Sequence, residues 1–217
     1  MPKVTDLLLT SIENTLYQAV IQLRDFAGYG IFPWYWKLKF IMAGFEPPYQ
    51  IIERRALHLP VSPDELVYGE TPLFTLDRIF KKIGLNKKDH FLDLGCGRGI
   101  PVIFANLRYR CKATGIEIVP ELLEQARTLA RIMHINDVHF RPGDIKKESL
   151  DEGSVYMICG TTFHSTTLEI VGKKLTKISE PVRVISLSSP LPGLQVIDKE
   201  RLPFSWGKAT VYYQDNV

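Results

Sequence analysis

The chain has 217 residues, enough for one sizeable α/β domain plus an extension, and its 45% apolar content supports a real core. A formal net charge of +3 is too mild to point to nucleic acid by itself. Cys96, Cys111 and Cys159 show no C-x-x-C spacing, and His58, His90, His134, His139 and His164 make no zinc pattern, so a reducing compartment and no metal site are expected.

Val4 to Phe26 is predicted as a helix, because Leu8, Ile12, Leu16, Ala19, Leu23 and Phe26 recur at three- and four-residue steps. That stripe is expected to cover a flank of the domain that follows. The start carries no cleavable secretory pattern, which sets a cytoplasmic location as the expectation. Phe26 to Phe45 reads FAGYGIFPWYWKLKFIMAGF. It has the length of a membrane span but not the continuity, because Lys37 and Lys39 interrupt it, and Pro33 sits inside. Two readings stand. Residues 31–45 can rest peripherally on a membrane, with Trp34, Tyr35, Trp36 and the two lysines at the headgroups. Alternatively they form an aromatic cluster packed on the protein body or in a dimer contact. Glu46 to Pro63, with four prolines, reads as a connector holding one short helix. The division expected is therefore an N-terminal helical and aromatic extension over 1–66 and the main domain over 67–217.

Val67-Tyr68-Gly69-Glu70-Thr71-Pro72 leads into a predicted helix, Leu73 to Ile83. The stretch His90 to Val102, HFLDLGCGRGIPV, then reads as strand, tight glycine turn and helix, the helix running from Pro101 to Arg110. Proline suits the first turn of a helix, and the free N–H groups of that turn face an anionic or polar ligand. The glycine spacing narrows the choice of ligand. From Gly95 the third glycine of G-x-G-x-x-G would fall on Ile100, and no Gly-Lys-Ser/Thr is present. Lys112 to Ile118 is a second strand carrying Glu117, 24 residues after Asp93, near the spacing of a ribose-binding acid. Pro120 to Met133 is a helix, Val138 to Phe140 a third strand, and Asp144 follows it. Ser154 to Cys159 is the fourth strand, Thr166 to Lys177 a helix, and Val182 to Leu187 the fifth strand. Leu194 to Arg201 and Lys208 to Tyr213 close the chain as a strand pair. Alternating strands and helices argue for a parallel sheet covered on both faces.

The run Asp93-x-Gly95-x-Gly97-x-Gly99 resembles motif I of class I S-adenosylmethionine (SAM) methyltransferases. The resemblance implies SAM as cofactor and a Rossmann-like, seven-stranded α/β sheet, here with an N-terminal helical extension. With Tyr68-Gly69-Glu70-Thr71, Glu117, Gly143-Asp144 and the Gly160-Thr161-Thr162-Phe163 turn, the chain from about Val67 onward resembles the Dot1-like protein lysine methyltransferases. That implies Tyr68 and Thr71 at the methionine end of SAM. It also implies Asp93, Gly95, Glu117 and Asp144 around its amino group, backbone, ribose and adenine, with Gly97 and Gly99 completing the turn. The apolar N-terminal segment and the Arg54-Arg55 connector are similar to the small lysine methyltransferases of the ATP synthase c subunit. Both relatives imply a protein substrate with a lysine side chain.

The departures bear on the acceptor. Thr161-Thr162 stand where Dot1-like enzymes carry Asn-Asn, Ile100 replaces their glutamine, and no basic tail follows, so a histone is not the expected substrate. The Asp/Asn-Pro-Pro-Tyr signature for amide and base nitrogens is absent, so no specific nucleic acid is implied. Transfer from a sulfonium needs alignment and exclusion of water, with no metal. A lysine must first lose its proton, which a partly apolar channel favours. Tyr68, Thr162, Phe163 and His164 are the candidate groups at that channel. Thr162 also reaches the cofactor, Phe163 is a wall, and His164 is either an aid to deprotonation or merely a cap of the next helix or a solvent-facing residue. A small-molecule or lipid acceptor, or a weakly catalytic SAM-binding scaffold, remains open from the same residues.

Overall fold

The computed structural model describes residues 4–217, with side chains from Thr10 onward. Three helices come first: α1 (Val4–Tyr29), α2 (Pro33–Ala43) and α3 (Pro48–Arg55), followed by a 3-10 turn, Pro63–Glu65. Then come α4 (Leu73–Lys82), β1 (His90–Leu94), α5 (Ile100–Tyr109), β2 (Lys112–Glu117), α6 (Pro120–Ile132) and β3 (Val138–Pro142). The chain continues with β4 (Val155–Ile158), α7 (Ser165–Leu175), β5 (Arg183–Leu187), β6 (Gln195–Phe204) and β7 (Gly207–Asp215). The strands make one seven-stranded sheet in the order β3-β2-β1-β4-β5-β7-β6. β3, β2, β1, β4 and β5 run parallel, while β7 is antiparallel to both β5 and β6. This is the Rossmann-like α/β class expected.

Parallel neighbours need crossovers, and α5, α6 and α7 provide three of them. Strand alternation sorts the core into two faces. Phe91, Val155 and Met157 join α4, α5 and the aromatic residues Tyr29 and Tyr35 on one side. Leu92, Leu94, Tyr156 and Ile158 meet Leu168, Val171 and Leu175 of α7 on the other. β1 lies between β2 and β4, so the chain leaves it to opposite sides. A crevice opens at the carboxyl end of such a switch point.

The N-terminal helices correct one expectation. The aromatic stretch is broken between α1 and α2, and Pro33 occupies the first turn of α2. Tyr35 and Leu38 are buried, and Trp34 packs with Tyr29 and Phe104, whereas Trp36 and Phe40 face outward. The α1 helix does dock on the domain, but not by its apolar stripe. Ile12, Leu16, Ala19, Leu23 and Phe26 are exposed, while Ile21, Asp25 and Tyr29 are buried; the side chain of Leu8 lies outside the described residues. The docking face is specified by polar atoms. The Tyr17 hydroxyl bonds the carbonyl oxygens of Phe204 and Gly207, at 2.8 and 2.9 Å. The Asp25 carboxylate accepts from the backbone N–H groups of Leu73 and Phe74, at 3.2 and 3.0 Å. Asp25 thus caps α4 from another helix. Among the described residues, no helix is long and apolar enough to cross a membrane.

Candidate active site

The glycine turn folds back over β2: the N–H groups of Gly95 and Cys96 both donate to the Ile116 carbonyl, at 2.9 and 3.0 Å. A cavity of about 270 Å³ opens beside it. Asp93, Gly95, Gly97, Glu117, Asp144, Tyr68, Thr71, Thr162 and Phe163 all line this one cavity. Residues spread over 96 positions of sequence are brought together because strands β1 to β4 end on the same side of the sheet.

Asp93, the fourth residue of β1, is almost fully buried. Burial, reinforced by the charge of Glu117, pushes its carboxyl up to about 8. Glu117 ends β2 and is held by two backbone donors, Gly97 N–H and Val119 N–H, each at 2.8 Å. Burial raises its pKa and those hydrogen bonds oppose the rise. Each of its oxygens keeps a second lone pair for a hydroxyl donor. Asp144 lies just past β3, accepts from the Lys146 N–H at 3.0 Å, and has the Lys146 ammonium 3.9 Å away.

The Tyr-Gly-Glu-Thr loop closes over the turn. The Tyr68 ring lies so close to Gly97 that a Cβ there would come within 2.8 Å of it. The Tyr68 hydroxyl donates to Glu70 at 2.7 Å, and Arg98 bonds the same hydroxyl at 3.1 Å and pairs with Glu70. Burial and the Glu70 charge raise the Tyr68 pKa well above 10. Arg98, an unassigned position within the glycine run, therefore fastens the loop to the turn. Thr71 is buried at the cavity wall; the cap of α4 is Asp25 and not Thr71.

Two expected members lie elsewhere. Gly99 begins α5 and packs against Phe140 and Ala126 without lining the cavity. His164 is exposed, occupies the N-cap position of α7, and does not line the cavity either. Its backbone N–H donates to Glu65 at 2.8 Å, and the Thr167 hydroxyl donates to the same oxygen at 2.7 Å. Glu65, from the 3-10 turn, thus fixes the start of α7 and lines the cavity. Trp206 is the other residue that sequence reasoning missed. It sits in the β6–β7 turn, stacks on Phe204 with centroids 4.9 Å apart, and lines the cavity over Gly69. A Cβ on Gly69 would stand 2.3 Å from its ring.

The model of the family described as histone methylation protein DOT1 matches residues 57–203. The chain belongs to the DOT1 family. Its fold is that of SAM-dependent methyltransferases. The residues present fit that cofactor: a glycine turn that gives backbone access, buried carboxylates at two strand ends, and an acid past the third. Over 73 residues this DOT1-family chain is 41% identical to the H3 lysine-79 specific histone-lysine N-methyltransferase of Kluyveromyces lactis, covering 33% of this chain and 13% of that protein. Over 105 residues it is 27% identical to the geranyl diphosphate 2-C-methyltransferase of Streptomyces ambofaciens, covering 42% of this chain and 36% of that one. The match thus spans only a minor part of either relative. The RNA methyltransferase of Salinibacter ruber, solved with S-adenosyl-L-homocysteine, superposes with a TM-score of 0.59 at 26% identity over 67% of this chain and 92% of that one. The geranyl diphosphate C-methyltransferase of Streptomyces coelicolor shares the fold, at a TM-score of 0.57 and 13% identity over 67% and 76% of the two chains.

Proposed function

We propose that this chain is a SAM-dependent methyltransferase acting on the ε-amine of a lysine in a protein. The observation that carries the reading is the convergence of Tyr68, Phe163 and Trp206 on the cavity beside the glycine turn. Aromatic walls suit the methylene stem of lysine. The same surroundings disfavour the ammonium relative to the neutral amine that must attack. SAM supplies a methyl group already activated on a sulfonium; the chain aligns the acceptor and keeps water out. The DOT1-family match supports a protein acceptor.

A second reading, a small-molecule acceptor, is favoured by Ile52, Val61 and Leu66, which extend an apolar lining of the same cavity. Incubating the protein with a cell extract and methyl-labelled SAM separates the two. Methyl-lysine in a protease digest, located by mass spectrometry, is the expected result. Label confined to the small-molecule or organic-extractable fraction would overturn the lysine reading. Trp206→Ala should raise the KM for the protein acceptor on the order of tenfold, a loss of about 1–2 kcal/mol, while leaving SAM affinity intact.

A further inference from the structure

The outward face of α1 is apolar. Ile12, Leu16, Val20, Leu23 and Phe26 are 55%, 62%, 53%, 63% and 49% exposed. The helix cannot roll this face inward, because Tyr17, Asp25 and Tyr29 fasten the opposite side. Ile12, Leu16, Ala19, Leu23 and Phe26 follow one another at steps of four and three. That spacing draws a straight seam along a helix, the pattern by which helices pair. Phe26 also meets the exposed Trp36 edge-on, with centroids 5.8 Å apart, which extends the seam at one end.

We propose that this seam pairs antiparallel with α1 of a second copy of the chain, making a two-fold dimer. Charge selects both the occupant and the direction. From Thr10 to Ala27 the exposed charges are Glu13 and Arg24, on one flank of the seam, and there is no lysine; the Arg24 guanidinium rests on the Phe74 ring of its own chain, 4.2 Å from the centroid. A helix that lies on an anionic membrane carries a lysine- and arginine-rich polar face, which α1 lacks. In an antiparallel pair centred on Ala19, Ile12 faces Phe26 of the other copy and Leu16 faces Leu23. The same flanks then meet, which brings Glu13 of each copy to Arg24 of the other. A parallel pair would set Glu13 against the uncharged flank of Thr15 and Gln22. The small Ala19 at the centre lets the two backbones approach. The seam presents on the order of 500 Å² per copy, so pairing buries on the order of 1,000 Å², where specific interfaces begin.

Sedimentation equilibrium on the full chain tests this. The wild type is expected to dimerise. Leu16→Glu with Leu23→Glu should raise the dimer dissociation constant by about 100-fold or more, since each new carboxylate faces another across the seam. SAM affinity should not change. Glu13→Arg should weaken the dimer, and adding Arg24→Glu should restore it. Ala19→Cys should form a symmetric disulfide on mild oxidation. A wild type that stays monomeric at high micromolar concentration overturns the proposal. So does a dimer indifferent to the double glutamate variant. If the monomer instead binds phosphatidylserine-containing vesicles through Leu16 and Leu23, the face belongs to lipid and the dimer is wrong.

Discussion

At the scale of single residues, the site turns on two buried carboxylates, Asp93 and Glu117, neither of which is ion-paired among the described residues. Asp93 keeps its proton up to about pH 8 in the cofactor-free fold, because burial and Glu117 both oppose its charge. In the unfolded chain it ionises near its ordinary 3.8. Between those values the folded state holds one more proton, so this group lowers stability as pH rises, and its effect levels off above about 8. If Asp93 holds the amino group of SAM, as the family resemblance implies, binding must remove that proton. SAM affinity should then climb from about pH 6 to about pH 8, with proton release on binding. Calorimetry in buffers of different ionisation enthalpy checks this, and equal observed heats in every buffer would refute it. For Glu117→Ala, SAM affinity should fall by about 1.5–3 kcal/mol, the range for hydrogen bonds to a charged acceptor. Melting should also drop, because Gly97 and Val119 lose their acceptor. Unchanged SAM affinity in that variant would remove Glu117 from the site. These acids were legible because each stands at the carboxyl end of a strand at a spacing the fold dictates. Glu65 and Trp206 were not, since their partners lie about a hundred residues away, as Glu65 and His164 do.

At the scale of elements, the strands and helices of the main domain were readable, with boundaries displaced by a few residues, because period and turn chemistry agree there. The N-terminal helix was readable as a helix but inverted as a surface. Hydrophobic periodicity locates the apolar face; it does not say whether that face meets the chain's own body. Here α1 is held by a hydroxyl, a carboxylate and Tyr29, none of which adds to an apolar stripe. Asp25 gives this docking its energetic content. Asp25→Ala should cost about 1–2 kcal/mol, the worth of a helix cap. Because α4 starts two residues after Thr71, with Pro72 as its N-cap, the variant should also raise the KM for SAM. Thermal melting and initial rates measured together decide this; a lower melting temperature with unaltered kinetics would confine Asp25 to stability.

At the scale of the whole molecule, one cavity gathers the switch point, the loop before α4, the 3-10 turn and the β6–β7 turn. Cofactor binding should therefore stabilise the whole domain. At a hundredfold excess over Kd, SAM should add about 2.7 kcal/mol, or roughly 5–10 °C in melting temperature for a chain of this size. A shift below a degree at saturation would mean that SAM binds a locally ordered patch only. The knot of contacts around Trp206 has a consequence for how the protein is made. Tyr17 reaches Phe204 across 187 residues, and Glu70 reaches Ser205 across 135. Such pairings are the slowest to form. During synthesis α1 and the Tyr68 loop emerge first, and they have no wall to close against until the β6–β7 turn has left the ribosome. The nascent chain can bury β1 to β4 and complete the glycine turn long before that. The Tyr68 loop, which packs on Trp206 through Gly69, is thus the last part of the cavity to be completed, and a ribosome-bound chain that lacks the β6–β7 turn should leave the glycine turn uncovered.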